Sequence, residues 1–289
     1  MEIESKFLVP EEKDFKELEN LSRLASYTIS EVKAQLNEDS FLDTENKDIM
    51  ASGYYLRVRK SSGEKGKWIT IKSLGGFKAG THRREEYVSF LPEGLSVLEC
   101  PPDLRIRNMI FEFTSGLDLF PLITLKQKRM IRQLKLEGKP IADLYLDKVN
   151  LKSESRKKIY SEFEVELKSG GTAEDLETIR DFLLSHYNLV ENPFSKFERA
   201  YMFRENLPEK TLLDLRERAV CTQVANYKNI YGKQAKILLL LDSGSTQAEL
   251  SLLLKIPEPE IEALVSRFEK ERLSVFPFTG AKKKTLEKN

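Results

Sequence analysis

The sequence predicts an α+β protein: a closed or nearly closed antiparallel β-barrel of about seven or eight strands with flanking helices, followed by a small all-α domain. Three observations predict it. Segments with strand-like alternation of charged and apolar residues recur between Met1 and Lys168. Few helical patterns interrupt them. Near Asn206-Leu207-Pro208 the composition changes, and from there to about Phe276 the chain reads as helix.

Met1–Val9 alternates at period two, a strand pattern. Pro10 opens a helix through about Ala25, with Phe15, Leu18, Leu21 and Leu24 at helical spacing. Strands are expected at about Tyr27–Leu36, Tyr54–Lys60, Lys67–Lys72, His82–Phe90, Leu122–Leu134, Ile141–Val149 and Ile159–Lys168. Turns at Ser61-Ser62-Gly63, Gly75-Gly76 and Glu137-Gly138-Lys139 separate several of them. Thr172-Ala-Glu-Asp175 is a capping pattern, and Leu176, Ile179, Leu183 and Leu184 form the apolar face of the helix it starts. A short helix is expected from Ser195 to Arg204. Farther on, Gly232, Gly244, Pro257, Pro259 and Pro277 punctuate the helical region. The expected division is a barrel domain at 1–205, a helical domain at 208–278 and a basic tail at 279–289 that carries Lys282-Lys283-Lys284.

Composition narrows the class. Among 289 residues, Lys plus Arg number 47 and Asp plus Glu 46, a net charge of +1 that argues against a polybasic coat protein or an acidic tail protein. The chain is 40% hydrophobic, enough for a real core, which argues against disorder throughout. Cys100 and Cys221 lie far apart with no CxxC spacing, so neither a disulfide scaffold nor a zinc ribbon is expected, and a reducing, cytoplasmic setting fits. Met1–Phe15 has no basic region followed by an apolar one, and the longest apolar run, Ile237–Leu241, is far too short for a membrane span.

The charges inside the strands carry the functional signal. Glu2, Glu4 and Lys6 occupy alternate positions of one strand and share a face. Arg57 and Arg59 share a face, Lys72 ends the run from Trp68, and Arg84 and Glu86 are two apart. Lys126 and Lys128 are two apart, with Arg129 beside them; Glu162, Glu164 and Glu166 form a second acidic row. Taken singly, each row fits the solvated face of a half-buried sheet. Turned inward together, acidic and basic rows meet across one lumen. Buried charges are costly unless paired or occupied by ligand. The carboxylates suit a hard divalent cation such as Mg²⁺ or Mn²⁺, and the Lys and Arg rows suit phosphate oxygens. A metal-bridged polyphosphate satisfies both halves.

On these residues the chain resembles the CYTH superfamily, the triphosphate tunnel metalloenzymes. Glu2-x-Glu4-x-Lys6 is similar to its ExExK signature, and the resemblance continues through Phe41-Leu-Asp-Thr44, Leu56-Arg-Val-Arg59, Thr70-Ile-Lys72, Arg84-Glu-Glu-Tyr87, Arg129, Asp147, Glu162–Glu166 and Ser195-Lys196-Phe197. It covers roughly residues 1–205. The resemblance implies an eight-stranded antiparallel tunnel that hydrolyses a triphosphate (inorganic triphosphate, thiamine triphosphate or a nucleoside triphosphate) with Mg²⁺ or Mn²⁺. It implies Glu2, Glu4, Glu162, Glu164 and Glu166 as metal ligands, and Lys6, Arg57, Arg59, Lys72, Arg84, Lys128, Arg129 and Lys196 as triphosphate ligands. In a regular strand Lys128 and Arg129 cannot both point inward. Glu86 would orient Arg84 or a neighbouring cation, and Asp147 would help place a ligand. Glu4, Lys6 and Lys72 would carry the catalysis: Glu4 activating water, and a lysine, its pKa lowered by a basic lumen, accepting a proton. Two other outcomes stay open: a class IV-type adenylyl cyclase, and a non-catalytic polyphosphate or nucleotide sensor that signals through the helical domain. The intact carboxylate rows favour turnover.

His82 and His186 have no partner spacing, and His82 is expected in a solvated role. Trp68 is expected in the core. Cys100, before Pro101-Pro102, has no evident base. Gly232 to Phe268 is similar to a homeodomain-type helix-turn-helix, with Thr246-x-x-Glu249 as a capping box. Its third helix would begin with Glu258, Glu260 and Glu262, which phosphates repel, so sequence-specific DNA binding is not expected. The domain is instead expected to pack on the barrel or on a second copy of the chain, as a homodimer, through Leu252, Leu253, Leu264 and Phe268.

Overall fold

A computed structural model describes residues 1–95, 103–153 and 156–277. The basic tail and Cys100 lie outside the described residues. The elements run β1 (Glu2–Leu8), α1 (Glu12–Glu19), β2 (Arg23–Leu24), β3 (Tyr27–Ile29), β4 (Lys33–Asp43), α2 (Asp48–Ala51), β5 (Tyr54–Ser61), β6 (Lys67–Ser73), β7 (Phe77–Lys78), β8 (Thr81–Arg84) and β9 (Glu86–Leu91). They continue as α3 (Leu104–Thr114), β10 (Phe120–Leu136), β11 (Lys139–Lys152), β12 (Lys157–Leu167), α4 (Ala173–His186), β13 (Val190–Glu191) and α5 (Lys196–Glu205). Among the described residues four helices follow: α6 (Leu215–Val224), α7 (Ile230–Asp242), α8 (Gln247–Leu254) and α9 (Glu258–Glu271), the last extended by a 3₁₀ turn at Arg272–Val275.

Apart from the two-residue β7, which pairs with β8 on its outer side, the antiparallel sheet is ordered β8-β1-β12-β11-β10-β4-β5-β6-β9. Its two ends are consecutive pieces of one chain stretch, interrupted only at Glu85: β8 sets Arg84 against Glu2, and β9 sets Glu86 against Lys72. The stretch Thr81–Leu91 therefore joins both edges of the sheet. With β1, β12, β11, β10, β4, β5 and β6 it makes an eight-membered ring.

Alternation divides the side chains of this ring between a polar lumen and an apolar exterior. On the exterior, Phe7, Leu144, Phe163 and Val165 pack with Phe15 and Leu18 of α1 and Leu176, Ile179 and Leu183 of α4. Thr172 caps α4 in a reciprocal capping box with Asp175. On another side, Leu56, Ile69, Ile71 and Leu91 pack with Ile106 and Ile110 of α3. At one end of the lumen, Phe41, Tyr55, Leu125, Val149 and Leu151 meet Phe197, Ala200 and Tyr201 of α5. Tyr55 stacks on Phe197 with ring centroids 5.0 Å apart. This apolar plug closes that end, and the α5 capping box of Ser195 and Glu198 sets the start of the helix so that Lys196 reaches back into the lumen.

The helical region has its own core, built on Cys221, Val224, Leu238, Leu250, Ile261, Leu264, Phe268 and Phe276. Helix α6 also faces the barrel: Leu215 and Ala219 join the plug cluster, and Gln223 donates to Asn46 O and to Asp48. Leu264 and Phe268 thus belong to the region's own core, whereas Leu252 and Leu253 of α8 are exposed. Gly232 lies in the first turn of α7, where a Cβ would stand 1.9 Å from Tyr227 O, so only glycine fits there. Glu258, Glu260 and Glu262 are exposed at the start of α9. Among the described residues, no helix is long and apolar enough to cross a membrane.

Several elements differ from expectation. The first helix ends at Glu19 rather than near Ala25, because the chain turns into the β2–β3 hairpin through Ala25 at φ 49°. The strand expected from Tyr27 to Leu36 is split, and its second part runs on to Asp43. Helix α3 was not expected. Trp68 is 37% exposed rather than core: it is the Cα partner of Arg59, it donates to Glu64, and its ring lies edge-on to Phe90.

Candidate active site

Every lumen-facing position of β1 that carries charge is buried: Glu2, Glu4 and Lys6 are 9%, 2% and 5% exposed. Antiparallel register places Glu4 opposite Glu166 and Lys6 opposite Glu164, and carries the same face across β11 to Asp147, opposite Glu162, and on to Arg129. The two acidic rows and the basic residues therefore share one lumen.

Half of this lumen is a closed ionic network. Glu164 Oε1 accepts from Lys6 Nζ at 2.6 Å and Lys196 Nζ at 2.7 Å, and its Oε2 accepts from Arg129 at 2.6 Å. Arg129 also grips Asp147 with two hydrogen bonds, of 2.8 and 2.6 Å, and Lys196 lies 2.9 Å from the same carboxylate. Glu162 accepts from Lys196 and from Asn192 Nδ2, both at 2.6 Å. Burial alone would raise the Glu164 carboxyl, but Lys196, Lys6 and Arg129 outweigh it and hold it well below the usual range. Burial, reinforced by Glu164, pushes Glu162 up to about 7. Asp147, Glu162 and Glu164 bring oxygen atoms within 4.8 Å of one another, close enough to hold a cation; ammonium and guanidinium groups already fill that role.

The other half is less completely paired. Lys72 Nζ donates to Glu2 Oε1 at 2.7 Å and lies 3.1 Å from Glu86, so Glu86 stands beside Lys72 rather than Arg84. Glu2 Oε2 is buried and receives no hydrogen bond. Glu4 Oε1 lies 3.2 Å from Lys6 Nζ and 3.7 Å from Arg84 Nη1, within ion-pair reach but hydrogen-bonded to neither. Burial, with Glu2 and Glu4 nearby, pushes Glu166 up to about 7. Nearby donors are also unspent: Arg84 Nη1 and Arg57 Nε are buried without acceptors. Arg57 Nη2 is held by Thr70 at 3.1 Å, and Arg84 Nε by Gly75 O at 2.9 Å.

The unspent carboxylate oxygens of Glu2 and Glu4, with the crowded Glu166, are the donor set that a hard divalent cation takes. The residues present thus fit a metal at the Glu2, Glu4 and Glu166 side, whereas at Glu162 and Glu164 a metal must displace lysine or arginine.

Three expectations change. Lys128 is exposed on the exterior while Arg129 faces the lumen, as strand alternation demands. Burial would lower Lys6 and Lys72, but the surrounding acids, Glu164 and Glu4 for Lys6, and Tyr55, Glu2 and Glu4 for Lys72, hold both ammonium groups above the usual lysine value, so neither is set up to accept a proton. His82 is fully buried rather than solvated. Its Nδ1 accepts from Arg84 Nη2 at 2.6 Å, which leaves Nε2 to donate to Asn192 O at 2.9 Å. Arg59 faces inward but is committed to Asp39 through two hydrogen bonds of 2.6 and 2.7 Å.

Sequence reasoning missed Asp39, His82 and Asn192. Asn192 joins His82, Glu162 and Arg199, whose Nη2 donates to Asn192 Oδ1 at 2.6 Å. The available signal for Asp39 was its position two residues before Phe41, on the same face.

Comparison with known proteins agrees with this architecture. No curated protein sequence matches the chain. Among solved structures, the Hippeastrum protein HpAC1, named as an adenylyl cyclase and with a dominant triphosphatase activity, superposes with a TM-score of 0.55 at 20% identity, covering 71% of this chain and 97% of that one. A Bacillus halodurans protein named as an adenylate cyclase aligns at 18% identity with a TM-score of 0.44, covering 69% and 96% of the two chains. A Pyrococcus horikoshii protein aligns at 14% identity with a TM-score of 0.43, covering 70% and 99%. The model of the CYTH domain matches residues 1–201, and the chain belongs to the CYTH family.

Proposed function

We propose that this protein hydrolyses a triphosphate inside the barrel with the help of Mg²⁺ or Mn²⁺. One observation carries the reading: buried atoms of both signs face the same lumen without a hydrogen bond, the acceptors Glu2 Oε2 and Glu4 Oε1 and the donors Arg57 Nε and Arg84 Nη1, of which Glu4 Oε1 and Arg84 Nη1 meet only at a loose ion-pair distance of 3.7 Å. Buried polar atoms without hydrogen bonds are costly, and a metal-bound polyphosphate satisfies both kinds at once. Bound between Glu2, Glu4 and Glu166, the metal would neutralise phosphate charge and act as a Lewis acid.

The chain's own residues do the rest. Arg57 and Arg84 hold phosphate oxygens through the N–H groups that make no hydrogen bond within the chain. Lys6, Lys72 and Lys196, kept charged by their acidic partners, supply fixed positive potential to the phosphates. Glu4 orients the attacking water. Arg129 and Asp147 act as positioning residues that hold the Glu164 row in place. The apolar plug beneath Tyr55 and Phe197 keeps water out of that end of the lumen.

The test is a panel of inorganic triphosphate, thiamine triphosphate and nucleoside triphosphates with Mg²⁺ and with Mn²⁺, scored for released phosphate, pyrophosphate and cyclic nucleotide. Phosphate release that EDTA abolishes is expected. Pyrophosphate with cyclic nucleotide would make the protein a cyclase, and binding without turnover would make it a sensor.

A further inference from the structure

Asn37 on β4 and Gln127 on β10 are Cα partners across the ladder that joins these strands. Both turn into the lumen. Their sequence neighbours Leu36, Glu38, Lys126 and Lys128 are exposed outside, whereas Asp39 and Arg129, two residues along, are buried within. Each carboxamide is 3% exposed, and neither its oxygen nor its nitrogen has a hydrogen-bond partner. Buried side-chain amides without a single bond are rare, and two stand side by side. In the ring, β4 lies four strands from β1 in either direction and β10 is its neighbour, so the pair sits on the wall of the lumen away from β1.

The chemistry of the pair differs from the rest of the lumen. Guanidinium and ammonium groups serve phosphate. A carboxamide oxygen cannot, because an ionised phosphate oxygen brings only acceptors. The group that satisfies both Oδ1 or Oε1 and Nδ2 or Nε2 brings donors and acceptors together, as sugar hydroxyls and the edge of a nucleobase do. We infer that Asn37 and Gln127 are specificity residues that recognise the uncharged part of a nucleoside triphosphate, and that inorganic triphosphate leaves them unsatisfied. This inference rests on the hydrolase reading above.

The experiment compares wild type with Asn37→Leu/Gln127→Met, which keeps side-chain size and removes all four polar atoms. Values of kcat/KM are measured for ATP, GTP and inorganic triphosphate, and binding of the same three compounds is measured by calorimetry in EDTA. In wild type at least one nucleotide is preferred over inorganic triphosphate. In the variant that preference falls about tenfold or more, inorganic triphosphate is turned over as before, and thermal stability does not drop, since no bond within the protein is lost. An unchanged preference, an equal loss for all three compounds, or a wild type that prefers inorganic triphosphate overturns the inference: the amides then hold only water. If wild type turns over none of them, the hydrolase reading fails, and the metal-free binding ratio still decides the role of the amides.

Discussion

Acid should destabilise this barrel through one imidazole. His82 is fully buried, with Arg84 Nη2 donating to Nδ1 at 2.6 Å and Nε2 donating to Asn192 O at 2.9 Å. A second proton has nowhere to go except Nδ1, against the guanidinium. Burial first, then the charges of Arg84 and Lys6, drive the pKa from 6.5 to about 3. The unfolded chain binds this proton below about 6.5 and the folded chain does not, so the unfolded state holds more protons between the two values. Stability therefore falls as pH is lowered from 6.5 to 3. At about 1.36 kcal/mol per pH unit, the loss reaches at most roughly 5 kcal/mol, comparable to the whole stability of a modest domain. Glu162 and Glu166, with raised values of about 7, act in the opposite direction, so a single acid titration mixes the two effects. The clean measurement is the difference in urea unfolding free energy between wild type and His82→Gln, which keeps one donor and one acceptor, across pH 7 to 4. The difference should shift steadily in favour of the variant as pH falls. Parallel stability curves would show that His82 titrates normally and that the Arg84–His82–Asn192 chain is not as described.

Other expectations are as direct. Arg129→Met leaves the buried Asp147 and Glu164 short of a cation and should cost about 3–5 kcal/mol, read as a lowered urea midpoint; a cost below about 1 kcal/mol would contradict the network. Ile179→Ala, at a site with no exposure on the inner face of α4, should cost about 2–5 kcal/mol in the same assay. Gly232→Ala should lower the melting temperature, because its methyl group meets Tyr227 O; an unchanged melting curve would refute that contact. Arg57→Lys should lower kcat/KM for the best triphosphate about tenfold or more, since lysine lacks the Nε donor and the planar fork; wild-type kinetics would place Arg57 outside the substrate site.

What could be read in the chain and what could not follow from how far each feature reaches. The Glu2-Glu4-Lys6 and Glu162-Glu164-Glu166 rows are local, since period two alone puts each on one face, and their burial in one lumen needed only the barrel. The Lys128–Arg129 register was ambiguous because both residues are cations; the pairing of Arg129 with Asp147 settles it across a ladder. The raised lysine pKa values are not legible in the sequence because the strongest acidic partner of Lys6, Glu164, comes from β12 and adds to Glu4 on its own strand. His82 reads as solvated beside Arg83 and Arg84, yet Arg84 turns its guanidinium onto Nδ1 and the other partner, Asn192 O, comes from the distant segment after β13. Trp68 is apolar by type but sits at the lumen position opposite Arg59, away from the α5 plug. Asp39 escaped notice because its meaning lies in Arg59, on the neighbouring strand.

The central claim is tested most directly by Glu4→Gln, which preserves shape and removes one lumen carboxylate. Steady-state phosphate release from the preferred triphosphate at saturating Mn²⁺ or Mg²⁺ should show kcat reduced by about two orders of magnitude or more, with the urea midpoint retained. A folded variant that releases phosphate at the wild-type rate would contradict the assignment of this lumen as a metal-dependent triphosphatase site.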